Sequence, residues 1–123
     1  MDMKNDNKAF IGNFANSLQI SGLIATKPLF KETKRANGQV SISSSFILTQ
    51  TFVGFQGKEY QKKYIINTRS PKVINELKKY THQVYVTCLG KLDYLWDYDH
   101  NKPYYYPLVE ELVVENICDE VMR

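Results

Sequence analysis

A single helix start limits what this chain can fold into more than any other feature of its sequence. Ser70-Pro71 reads as an N-cap followed by proline at the first helical position. Val73, Ile74 and Leu77 then form an apolar stripe, with Lys72, Lys78 and Lys79 outside it. That stripe lasts about two to three turns at 3.6 residues per turn. The other ordered stretches are strand-like. Leu18, Ile20 and Ile24 share one face of the first, and Gly22 marks a bulge or bend in it. In the second, Val40, Ile42, Phe46 and Leu48 oppose Ser41, Ser43, Ser45 and Thr49. The third runs from Tyr60 to Asn67. Val84, Val86, Cys88 and Leu92 mark the fourth, with a possible bend at Gly90, and Tyr104 to Val114 the fifth, interrupted or placed at an edge by Pro107.

Three strands, one helix and two strands, with glycine kinks, is the plan of a mainly β, five-stranded OB-fold barrel. A doubly wound α/β domain needs several crossover helices, and the sequence offers one. Phe30 to Asn37 carries Lys31, Lys34 and Arg35 and ends in Asn37-Gly38, a strong hairpin signal. At 123 residues one domain is expected. Residues 1–15 read as a loosely ordered arm, with Phe10, Ile11 and Phe14 available to dock it. Residues 16–114 read as the barrel, and 115–123 as a short acidic end of about one helical turn.

Tyr94 to Tyr106 is the aromatic centre of the sequence. Tyr94, Trp96 and Tyr98 share one strand face, and Asp99-His100-Asn101-Lys102-Pro103 is a turn by composition. Most aromatic stripes fill a core. Here the interleaved Asp97, Asp99 and Lys102 predict that some rings face water, where a flat ring is a platform for a nucleobase. Lys62 and Lys63 lie between Tyr60 and Tyr64, so only one lysine can share a face with both tyrosines. Phe52 and Phe55 lie in a glycine-containing loop and either fold back onto the core or stay available. Charge is unevenly distributed. Residues 1–91 hold 14 Lys/Arg against 5 Asp/Glu, whereas residues 92–123 hold 2 against 8. A basic body with an acidic end suits a polyanionic partner, and the excess of Lys over Arg favours phosphate attraction over base reading.

Catalytic and metal readings fit poorly, so neither enzymatic activity nor a cofactor is expected. Asp97-Tyr98-Asp99-His100-Asn101 opens like a calcium loop, but Lys102 and Leu108 stand where that loop needs Gly and Glu. Asp97, Asp99 and His100 are read as turn residues rather than metal ligands. His82 has no HExxH context, and no phosphate-binding glycine loop or GxSxG motif occurs. Cys88 and Cys118 lack metal-ligand or CxxC spacing. With no apolar run of about 20 residues and no signal-peptide core, no membrane association and a cytoplasmic location are expected.

Several segments, in order, resemble the single-stranded DNA-binding protein (SSB) family. Asn16-Ser17-Leu18-Gln19-Ile20-Ser21-Gly22-Leu23-Ile24 with Lys27-Pro28 is similar to its opening strand and turn. Asn37-Gly38, Val40 and Ser45-Phe46-Ile47-Leu48 resemble its second strand. Leu77-Lys78-Lys79, Gln83-Val84-Tyr85-Val86 and Gly90-Lys91-Leu92 resemble its helix end and fourth strand. The likeness covers about residues 16–114. It implies single-stranded DNA as the partner, little sequence preference, and a homo-oligomer, commonly a dimer or tetramer formed through the first strand.

Replication, recombination or repair is the implied setting, with proteins of those processes as further partners. Bases would stack on Trp96, Phe52, Phe55, Tyr60, Tyr64 and Tyr98. Lys34, Arg35, Lys58, Lys62, Lys63 and Lys91 would attract phosphates. Ile66 is apolar near a position often aromatic in the family. The sequence closes on Cys118-Asp119-Glu120-Val121-Met122-Arg123 rather than the family's acidic Pro-Phe tip, which points to an accessory, phage or mobile-element role or to a truncated chain. Two other readings stay open: an OB-fold protein-interaction module such as a primosome component, and an RNA-binding OB domain.

Overall fold

The computed structural model describes residues 15–123. It contains strands β1 (Leu18–Ile24), β2 (Leu29–Lys34), β3 (Val40–Val53), β4 (Glu59–Thr68), β5 (His82–Asp97) and β6 (Lys102–Val121). Helix α1 (Pro71–Lys79) joins β4 to β5, and a short 3₁₀ turn, Phe55–Gly57, joins β3 to β4. Five strands close into a ring in the order β1, β5, β6, β4, β3 and back to β1. The pairings are antiparallel except between β4 and β6, where Asn67 and Thr68 run parallel to Leu108 and Val109. This is the OB-fold barrel expected from the strand order, with its helix between the third and fourth barrel strands.

Two elements differ from expectation. Leu29–Lys34 is a strand outside the ring, paired along its length to Val40–Ser45 of β3. Asn37-Gly38 is its turn: Gly38 takes a φ of +83°, and the Asn37 side chain accepts a 3.0 Å hydrogen bond from the Gln39 amide. The second difference is the C-terminal segment, where β6 continues to Val121 in place of a helical turn. Backbone bonds then fix its end, from Met122 to Thr81, Arg123 to Ala25, and Lys27 to Arg123. The expected N-terminal arm lies outside the described residues apart from Ala15.

Inward side chains of the ring, including Ile24, Phe46, Leu48, Ile66, Val84, Val86, Cys88 and Val109, make the core. Helix α1 closes one end of it with Val73 and Leu77. The helix begins as the sequence predicts, with the Ser70 hydroxyl accepting from the Val73 amide at 3.4 Å. Lys78 and Lys79 sit in its last turn, where positive charge suits the helix dipole.

Gly90 lets β5 cross β6 closely, at a register shift between Leu89 and Gly90. A Cβ there would lie 2.0 Å from the Leu108 carbonyl oxygen. We expect Gly90→Ala to lower stability by about 3 kcal/mol, the upper range for overpacking, as measured by urea unfolding. Burial also pushes the Cys88 thiol up to about 12 from a usual 9.0. The unfolded thiol therefore ionises while the folded one stays protonated. The contribution of Cys88 is full below pH 9.0 and is lost as pH rises toward about 12. The stability difference between wild type and Cys88→Ala should shrink over that interval in parallel unfolding titrations.

Candidate nucleic-acid interface

Alternation along β3 and β4 sends Phe46, Leu48 and Ile66 inward and leaves Ile47 and Ile65, a direct cross-strand pair, on the outer face. Two hairpins rise on either side of that face. The β2–β3 hairpin forms one wall and the β5–β6 hairpin the other. Between them runs a groove of about 530 Å³ lined by Lys31, Ile65, Asn67, Arg69, Leu95, Tyr104 and Tyr106, among others.

The register of the β5–β6 hairpin decides which aromatics face the groove. Asp93 opposes Tyr106 and Leu95 opposes Tyr104, so these four share the groove side. Tyr94 opposes Tyr105 and Trp96 opposes Pro103, which puts those residues on the other side of the same ribbon. The rings are not sealed: Tyr104 is 60% and Trp96 44% exposed. Tyr104 and Tyr106 lie nearly parallel, with centroids 6.5 Å apart. The Tyr106 hydroxyl donates to Asp93 Oδ2 at 3.4 Å, and Arg69 Nη2 reaches the same oxygen at 3.4 Å. One carboxylate therefore positions both a groove tyrosine and a groove arginine.

The hairpin turn is built by Asp97. Its Oδ1 accepts from the Asp99 and His100 amides at 3.1 and 3.3 Å, and its Oδ2 lies 2.7 Å from His100 Nδ1. Asn101 completes the turn in the left-handed region, at φ 52°. The Asp97 carboxylate and the His100 ring thus take part in the turn that the composition predicts.

A second aromatic cluster lies where β3 and β4 overhang the ring. Phe52 and Tyr60 form a direct cross-strand pair with centroids 5.4 Å apart and rings 20° from parallel. Lys62 places its ammonium 5.0 Å from the Phe52 centroid. Lys62 is thus the lysine that shares a face with Tyr60, and Lys63 points to the outer face of the sheet. Phe55, in the 3₁₀ turn, is 92% exposed, and Lys58 is exposed beside it. Tyr64 packs against the core.

The remaining residues singled out in the sequence are dispersed. Lys34 and Arg35 stand at the β2–β3 turn, Tyr98 is exposed in the β5–β6 turn, and Lys91 lies 3.7 Å from Glu110. The structure brings together Phe52, Tyr60 and Lys62, and separates them from Trp96 and Tyr98 on a different hairpin. Lys31, Ile65, Arg69, Leu95, Tyr104 and Tyr106 line the groove without having been singled out. The three consecutive tyrosines were the visible signal, but their facing depends on pairing with β5.

No protein-family model matches the sequence, and no curated protein matches it in sequence. The fold is similar to that of a solved structure described as Plasmodium falciparum SSB in complex with ssDNA, with a TM-score of 0.62 and 13% sequence identity. The likeness covers 85% of this chain and 97% of that one. It supports the OB-barrel fold described above.

The Phe52–Tyr60 contact should be measurable by itself. A double-mutant cycle with Phe52→Ala and Tyr60→Ala is expected to give a coupling of about 0.5–1.5 kcal/mol in urea unfolding, as for other aromatic pairs.

Proposed function

We propose that this protein binds single-stranded DNA with little sequence preference, in the setting of replication, recombination or repair, and that it acts as a binding protein rather than an enzyme. The observation that carries this reading is the groove over the outer face of β3 and β4. Its walls are two hairpins, and it contains the exposed Tyr104 and the half-buried Tyr106 beside Lys31 and Arg69. That face of an OB barrel is where oligonucleotides dock. The fold neighbour described with ssDNA supports the same ligand.

Bases stack on Tyr104 and Tyr106, with Leu95 and Ile65 as apolar contacts. Stacking of this kind is worth about 1–3 kcal/mol per base and tolerates any sequence, because every base has a π-face. Trp96, Tyr94 and Tyr98 extend the aromatic surface around the hairpin. Phe52, Phe55 and Tyr60 offer a second platform, with Tyr64 behind them. Lys34, Arg35, Lys58, Lys62, Lys63 and Lys91 add attraction for phosphates, with Lys91 weakened by Glu110. Among the described residues no helix is long and apolar enough to cross a membrane. A homo-oligomer and a cytoplasmic location complete the proposal.

Oligo-dT is expected to change the tyrosine and Trp96 fluorescence. Affinity should fall with salt at about 0.7 log unit per log unit of salt for each phosphate contacted. Tyr104→Ala should weaken binding by about 1–3 kcal/mol with little change in that slope. Absent or salt-independent binding would reject the proposal and favour a protein-interaction module. Preference for a matched RNA oligomer in competition would point to recognition of the 2′-hydroxyl instead.

A further inference from the structure

A second recess adjoins the groove and has a different chemistry. It measures about 620 Å³ and lies between the β2–β3 hairpin and helix α1. Arg35, Arg69 and Lys78 bring three cations to its walls, and no carboxylate or aromatic residue lines it. Thr33, Ser41, Ser43 and Asn75 add neutral hydrogen-bonding groups, while Ile42 and Ile74 form an apolar wall. Ser43 and Arg69 line both this recess and the tyrosine groove, so the two are contiguous.

We infer that the recess is a backbone subsite: it takes the sugar-phosphate chain of the single strand after the strand leaves the tyrosine groove. This rests on the function proposed above. Cations and hydroxyl groups without an aromatic platform suit phosphates and not bases. The apolar wall of Ile42 and Ile74 suits the face of a deoxyribose.

Arg69 and Lys78 have side-chain partners, and the backbone that carries Arg35 is fixed. Arg35 is anchored through its backbone, its amide donating to the Gln39 carbonyl at 2.8 Å and its carbonyl accepting from the Gly38 amide at 3.0 Å. Lys78 rests its ammonium 5.4 Å from the Phe30 centroid. Arg69 contacts Asp93 through a single nitrogen, which leaves other guanidinium donors for a phosphate. Arg69 would thus stand at the junction, tied to the groove on one side and facing the recess on the other.

The test compares a short dT oligomer of about five nucleotides with one of about 15, a range that spans single OB-fold sites. Arg35→Ala/Lys78→Ala should lower the salt slope for the long oligomer by about 1.4, two phosphate contacts at about 0.7 each. That corresponds to about 25-fold weaker binding at 0.1 M salt. The short oligomer, held by the tyrosines, should keep its affinity within about twofold. Lys72→Ala/Lys79→Ala removes the same number of charges, both from helix α1 outside the recess, and should change the long-oligomer slope by much less.

An unchanged slope for the long oligomer in the Arg35/Lys78 variant, with wild-type dT binding intact, would reject the subsite and leave the wider function standing. Equal effects from the two double variants, or equal loss for short and long oligomers, would reject it in favour of diffuse attraction. Failure of wild type to bind either oligomer would reject both proposals.

Discussion

The parallel contact between β4 and β6 is what turns a sheet into a barrel, and Thr68 is its pivot. The side chain of Thr68 is fully buried, and its hydroxyl donates to the Val109 carbonyl at 2.7 Å while accepting from the Ser70 amide at 3.2 Å. One oxygen therefore joins ring closure to the start of helix α1. A buried polar group left without partners costs about 1–3 kcal/mol, so the hydroxyl is stable here only when both neighbours are in place. The proposed interface depends on the same closure. Ile65 and Asn67 on β4 meet Tyr104 and Tyr106 on β6 across one groove because Thr68 and Val109 are held side by side.

Closure also sorts the charges. The carboxylates that crowd the last quarter of the sequence fall largely on β6, away from the cations of the β2–β3 hairpin. Glu110 takes Lys91, and Glu115 accepts from the Thr87 hydroxyl at 3.0 Å, which in turn lies 2.8 Å from the Ser21 hydroxyl. Asp93 points toward the groove and is engaged with Arg69 and Tyr106. Exposed pairs of this kind contribute about 0–1 kcal/mol to stability. Neither cavity has a carboxylate in its lining, and Asp93, beside the groove, is engaged with Arg69 and Tyr106.

The sequence made the barrel legible because inward positions on the ring strands obey period two and one helix interrupts them. It concealed β2 because that strand buries nothing: all six residues of Leu29–Lys34 are exposed, so no periodicity marks them. The Asn37-Gly38 turn was nevertheless evidence that a partner for β3 preceded it. The extension of β6 was concealed for a similar reason, since Glu115 to Val121 is mostly exposed and its pairing with β5 is irregular. Within each hairpin, parity could be read directly. Tyr94 and Trp96 do share a face, and one lysine of the Lys62-Lys63 pair does share a face with Tyr60. The direction of those faces could not be read, because it is set by where β4 and β6 meet.

Separation of the interior from the aromatic surface has a physical consequence. Among the described residues, Phe46 is the aromatic side chain in the buried core, which otherwise consists of aliphatic residues, Cys88 and Met122. Most of the remaining rings are exposed or half-buried on the hairpins and strand faces. An aliphatic core packs the ring without needing the rings' large surfaces, so folding and recognition draw on different side chains. Removing a core residue such as Leu48 leaves a cavity and a cost of about 2–5 kcal/mol, whereas truncating Tyr104 at 60% exposure removes little packing. An exposed ring such as Tyr104 can therefore change with little effect on stability, whereas the stacked Phe52–Tyr60 pair contributes to it. Under the proposed function, the fold would set where a planar ligand lies and the tyrosines how firmly it is held.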